Sequence, residues 1–290
     1  MGRPIFHQLT AVLDFRTHFR GCKPPWASVR LLMALPGMIA LALCGPLAAQ
    51  QPGVDSLNAQ ATRLLETNPE KALNLSLQSV QTALRTNYLS GHTQALVLAG
   101  QAYHHLNNPS KALLDFSRAL DKAAARRNES EAADANEWLG QVYYGFGDYN
   151  QASSHFFASL RIREKIRDRR GVAQSRMQIG MVYAAWRKSD KALEYYERSL
   201  GTWEKLQDPA GLATVLNHLG RLYDQRGDYA AAQQHLERSL TIHQKQKNAR
   251  GVAQTLHSIG DAHFHPQRYE QAINYYFRSL KREQRLRLSA

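Results

Sequence analysis

One spacing constrains this chain more than any other feature. Glycine stands at 100, 140, 180, 220 and 260, alanine at 72, 112, 152, 192, 232 and 272, and leucine at 120, 160, 200, 240 and 280, with Val80 in the first copy. Tyrosine follows at 103, 143, 183 and 223, with His263 in the last copy. Every column repeats at forty residues without a slip, and a period in this range marks an array of one supersecondary unit. Within Gly171–Trp186, Ile179, Val182, Tyr183 and Trp186 recur at helical spacing and form one apolar stripe. The turn 187–190 then leads into a second helix over about Asp190–Leu206, with Ala192, Tyr196, Ser199 and Leu200 on its inner side. Asp148, Asp228 and Asn108 stand where a residue can cap the following helix. A glycine in mid-helix costs about 1 kcal/mol relative to alanine, so the column at 100–260 needs a reason. It precedes the alanine column by twelve residues. Across an antiparallel pair the two small columns are expected to face each other, with Phe116, Phe156, Tyr196 and Tyr276 filling the space beside them. A second glycine column lies at 91, 171, 211 and 251, broken by Glu131.

Leu219-Gly220, Tyr223 and Ala232, and likewise Leu139-Gly140, Tyr143, Ala152 and Phe156, resemble the pattern of the tetratricopeptide repeat. The resemblance covers residues 54–290 and is to a long, forty-residue variant, whose second helix ends in loops such as 168–171 and 208–211. It implies an all-α fold, a right-handed α-solenoid of six helix-turn-helix units, at about 54–90, 91–130, 131–170, 171–210, 211–250 and 251–290. The first unit is degraded, with Gln60, Arg63 and Ser76 in its glycine, tyrosine and aromatic columns, as an end cap would be. Residues 50–290 are thereby expected to form one solenoid, with no stretch left for a separate catalytic domain.

Residues 1–49 read differently. The block 31–44 is apolar, but as a helix it would rise only about 21 Å. A bilayer core of about 30 Å needs more. Five basic residues and one acid precede it, and GPLAAQQPG follows with a small-residue site near Ala49, the layout of a secretory signal peptide. The long basic region suggests an internal start, Val29 being one candidate. Two alternatives stay open: lipidation at Cys44, although Leu43 departs from the small residue that a lipobox wants, and an uncleaved anchor. Cleavage near Ala49 would remove both Cys22 and Cys44, which suits an oxidising compartment such as the bacterial periplasm.

The chain carries 37 Lys and Arg against 24 Asp and Glu, a formal +13. Such an excess raises nucleic acid or an anionic membrane as partners. The six first helices hold only four basic residues against seven acids, so the positive charge belongs to the second helices and their extensions, including Arg118, Arg198, Arg238 and Arg278 in one column and the runs 161–170 and 281–287. These read as a solvated outer face laced by pairs such as Glu194–Arg198. A groove wall that carries more acids than basic residues, and an export signal, argue against nucleic acid. Membrane contact through the leader or the basic face stays open. With 43% hydrophobic residues and a mean hydropathy of −0.48, the chain has enough apolar matter for a core and too little for a polytopic membrane protein.

No P-loop, GxGxxG, HExxH, GxSxG or CxxC motif occurs, so no catalytic residue, cofactor or metal ligand is assigned. Adjacent helical side chains such as His104 and His105 diverge by about 100° and cannot share a ligand face. In His263-x-His265, His263 occupies the tyrosine column and is expected in the core. Carboxylates such as Asp134 and Glu137 are expected on solvated surface.

In the resembled family, the first helices line a concave groove that receives an extended peptide or a partner helix. Its inward positions fall here on Gln101, Gln141, Tyr144, Gln174, Met181, Asn217, Arg221, Gln254, His257 and Asp261. Amides there would hydrogen-bond a peptide backbone without demanding one sequence. The resemblance therefore implies an exported scaffold that binds a protein or peptide in its groove. An alternative is the sensory region of a bacterial envelope signalling protein, preceding a histidine kinase or nucleotide cyclase. The end of the chain motivates that alternative, with Tyr275, Tyr276 and Leu280 expected on an exposed final face.

Overall fold

The computed structural model describes residues 53–289, with side chains to residue 285; the leader, its cleavage site and Cys44 lie outside them. Among the described residues there are twelve helices and no strand: α1 (53–64), α2 (Pro69–Arg85), α3 (Leu89–His105), α4 (Pro109–Ala125), α5 (Glu129–Gly145), α6 (Tyr149–Lys165), α7 (Arg169–Ala185), α8 (Ser189–Leu206), α9 (Pro209–Gln225), α10 (Tyr229–Lys245), α11 (Ala249–Phe264) and α12 (Tyr269–Ser289). Each helix pairs with the next, and six pairs stack into a right-handed α-solenoid. First helices of successive pairs also touch (α3 with α5, α7 with α9, α9 with α11), and the Gln178 amide of α7 donates to Glu137 of α5 at 2.8 Å, so α3 to α11 form one continuous wall.

From α2 onward every helix begins twenty residues after its predecessor. The turns share one mechanism. A residue with positive φ follows each helix from α2 to α11, at Asn87, Asn107, Arg127, Gly147, Arg167, Arg187, Gln207, Gly227, Lys247 and Gln267. The next residue caps the following helix where it is Asn or Asp. Asn108, Asp148, Asp168, Asp228 and Asn248 each accept the backbone N–H three residues on.

The glycine columns are explained by aromatic rings more than by alanines. A Cβ on Gly140 would lie 2.7 Å from the Phe156 ring, and one on Gly180 would lie 2.6 Å from Tyr196. The side chain sixteen residues on, not the alanine twelve on, is thus what presses against the helix. Gly220 alone of this column also has an alanine, through the Ala232 carbonyl, among its nearest neighbours. The second glycine column lies under Arg163, Trp203 and His243, which cover Gly171, Gly211 and Gly251. Where Glu131 replaces glycine, the equivalent covering position is the small, buried Ala123.

Two further columns lock the later pairs. The Ser199, Ser239 and Ser279 hydroxyls each donate 2.8 Å hydrogen bonds to the carbonyls of Ala173, Ala213 and Ala253. The tyrosine column stacks on rings twelve residues later: Tyr143 on His155, Tyr183 on Tyr195, Tyr223 on His235. In the last pair the partners are exchanged, and His263, buried as expected, stacks on Tyr275 at 5.3 Å. Apolar contacts then run from pair to pair, as where Phe156 and Leu160 meet Val172 and Ile179.

Candidate functional site

The ten residues read as inward-facing all belong to first helices, and the structure places nine of them around two depressions. Gln141 and Tyr144 from α5 meet Gln174 and Met181 from α7, with Gln178 and His104, around a cavity of about 340 Å³. Asn217 and Arg221 from α9 meet Gln254, His257 and Asp261 from α11 around one of about 600 Å³. A smaller hollow of about 260 Å³ joins them, lined by Tyr144, Met181, Tyr196, His218 and Arg221. Gln101 sits half-buried on α3, one pair earlier, and lines none of these three.

The polar groups differ in how far they are committed. Asn217 donates to the Thr255 hydroxyl at 3.0 Å and so ties α9 to α11. Asp261 accepts from the Tyr276 hydroxyl at 2.8 Å, which together with burial holds that phenol protonated. Arg221 has no carboxylate within ion-pair distance among the described residues, although it borders both the 600 Å³ cavity and the hollow that joins the two. His218, which the inward register does not single out, lies against Tyr196 with the rings 5.6 Å apart, and burial followed by the nearby Arg221 charge pushes its pKa down to about 4. It is therefore a neutral hydrogen-bonding group at neutral pH.

His263 and His265 diverge: His263 enters the core, whereas His265 Nδ1 lies 2.8 Å from the buried Asp224 carboxylate on α9. Among the described residues no three His, Cys, Asp or Glu side chains converge on a metal position. No described helix is long and apolar enough to cross a membrane.

The basic outer face needs correction in part. Arg163, from the run 161–170, is buried; it bonds to Asp134 at 2.9 Å, Glu137 at 2.5 Å and Asp168 at 3.4 Å. Glu137, half-buried, and Asp134, which stays exposed as expected, are thus ion-pair partners of the second helix rather than unpaired carboxylates. Burial raises the pKa of both, and the Arg163 charge offsets only part of that rise. Arg170 pairs with Asp208 and Arg238 with Glu204, each across a repeat boundary. The Glu194–Arg198 pair forms as expected, at 2.7 Å.

The tetratricopeptide repeat family matches residues 131–205 and 211–284. No curated protein matches the chain. Solved structures similar to it include BtubC (BKLC) from P. vanneervenii, at 22% identity over 76% of this chain and 93% of that one, with a TM-score of 0.64. A Rap protein in complex with Competence and Sporulation Factor is 19% identical over 82% of this chain and 66% of that one, TM-score 0.68. The Rap conjugation gene regulator of plasmid pLS20, in complex with the Phr* peptide, is 14% identical over 81% and 76%, TM-score 0.61.

Proposed function

Because the chain belongs to the tetratricopeptide repeat family, we propose that it is a non-catalytic scaffold whose first-helix wall holds an extended peptide segment of a partner protein. The observation that carries this reading is the continuity of the two depressions through Tyr144, Met181 and Arg221. Their lining is rich in amides and hydroxyls, which suits the N–H and C=O groups of an extended backbone. Two similar structures hold Competence and Sporulation Factor and the Phr* peptide. Arg221, uncommitted in the middle, would seat an acidic side chain or a terminal carboxylate of the ligand. The forty-residue spacing supports assignment to the longer variant of the repeat, and the leader layout of residues 1–49 supports export to the periplasm, with outer basic residues such as Arg170 and Arg238 pairing across repeat boundaries.

The test is selection of a displayed library of random seven-residue peptides on the full chain. Selected peptides should lose at least about tenfold in affinity, or about 1.4 kcal/mol, on a triple variant with Asn217, Arg221 and His257 changed to Ala. Unchanged binding of every selected peptide to that variant would overturn the groove reading.

A further inference from the structure

The outer face of α12 is the most apolar open surface of the described array. Tyr269, Ile273, Phe277 and Leu280 are 50, 52, 67 and 49% exposed and recur at helical spacing along one side. Tyr269, Ile273 and Leu280 stand in columns that earlier second helices turn to their neighbours, whereas Phe277 widens the stripe onto a flank where its counterparts Ser117, Glu197 and Glu237 are exposed. Leu160 and Leu240, the counterparts of Leu280, pack into the clusters that join their repeats to the next, and Leu160 is 8% exposed. Tyr275 and Tyr276, expected on this face, are instead half-buried, against His263 and bonded to Asp261. The exposed stripe is Ile273 and Phe277 with Tyr269 and Leu280.

The chemistry of the opposite end argues against head-to-tail stacking of copies. The open residues of α1 are Gly53, Asp55, Ser56, Ala59, Gln60, Thr62 and Arg63, a surface of small and polar groups that cannot cover four large apolar side chains. The stripe does match itself. Glu270 and Lys281 lie eleven residues apart, three helical turns, and therefore on the same flank of the stripe. When two copies of α12 cross antiparallel near Phe277, like flanks meet, and Glu270 of one copy comes opposite Lys281 of the other. Each pairing occurs twice, as an isologous interface requires.

We propose that this face is a homodimer interface: a second copy of the chain docks α12 against α12, antiparallel, with Phe277 near the two-fold axis. The contact continues the helix-on-helix packing of the array and leaves the first-helix wall open in both copies. It is independent of the peptide reading, since none of its residues lines the groove cavities.

Sedimentation velocity of the full chain, from low to high micromolar concentration, tests it. The wild type should sediment as a dimer. Phe277→Glu should shift it to monomer, with dimer affinity weakened at least about tenfold and an unchanged circular dichroism spectrum. Glu270→Lys should weaken the dimer through like charge, and adding Lys281→Glu should restore it, which general surface effects would not do. A wild-type monomer throughout the range would overturn the proposal; so would a dimer indifferent to Phe277→Glu, whose contacts then lie elsewhere. Binding of α12 to another part of the same chain would appear as the monomer result.

Discussion

Arg163 joins three elements with one side chain. Its guanidinium reaches Asp134 and Glu137 on α5 and Asp168 at the entrance to α7, while its Nε donates to the Ser159 hydroxyl at 3.1 Å. A buried cation is tolerable only when its partners are this complete, and removing one side of such a group leaves charges without compensation. Arg163→Met should therefore cost roughly 3 kcal/mol at neutral pH. The sign of its pH dependence follows from the carboxylates. Asp134 and Glu137 already have native pKa values raised above their unfolded ones, and loss of the cation raises them further. Groups of this kind take up protons in the native state first, so the variant should regain stability as pH falls from 7 towards 5. Chemical denaturation at the two pH values checks this; an equal loss at both would mean that packing, not charge, is what Arg163 supplies. The run RIREKIRDRR conceals this role, because a cation that turns inward looks like its exposed neighbours in composition. Only register distinguishes it: Arg163 shares a column with Trp203 and His243, each lying over a glycine.

At the scale of the element, the helix pairs were legible because their columns carry residues with distinct steric demands. Small residues where a ring crosses the helix and branched ones in the core survive in nearly every copy. Less legible was the twenty-residue half-period. First and second helices have different side chains, so only their lengths and turns repeat, and most turns lack the expected punctuation. Eight of ten left-handed turn residues are not glycine, and all four that follow α4, α6, α8 and α10 are Arg, Gln or Lys. There the chain accepts strain because the helix ends are held on both sides, as where Lys247 N–H bonds back to the Gln244 carbonyl and Asn248 caps α11. A left-handed conformation costs an L-residue about 1–2 kcal/mol, partly offset by the greater unfolded freedom of glycine. Lys247 is exposed, with φ of 55°, so Lys247→Gly should stabilise the array by roughly 0.5–1 kcal/mol. A rise in thermal midpoint by circular dichroism would show it. A fall would mean that the Lys247 side chain has a structural role worth more than the backbone strain.

For the whole array, the distribution of histidine sets the response to acid. His92, His104, His155, His218, His235, His243 and His263 all have pKa values lowered first by burial, and they occur from the second repeat to the sixth. A histidine held neutral in the native state is protonated near its ordinary pKa of about 6.5 once unfolded. Its stabilising contribution is complete above that value and is lost as pH falls towards the native pKa, since the unfolded chain then binds more protons. Asp115, Asp134 and Glu137, with raised values, act in the opposite sense, but they are fewer. The array should thus lose stability between about pH 6.5 and 4. His218 is the sharpest case, with its window running down to about 4 and a contribution on the order of 2 kcal/mol at the acid end. His218→Phe keeps a ring against Tyr196 but cannot take up a proton, so its stability should fall less steeply with acid than that of the wild type. Thermal midpoints of the two proteins at pH 7, 5.5 and 4 decide the matter, and parallel curves would rule His218 out as a source of the acid sensitivity. That His218 escaped the inward register has a physical cause: its neighbour Asn217 occupies the register position, and the ring reaches the groove only by lying along Tyr196 of the preceding second helix. The first-helix register supplies most of the wall, while residues that enter it from the neighbouring helix become visible only when the pairs are stacked.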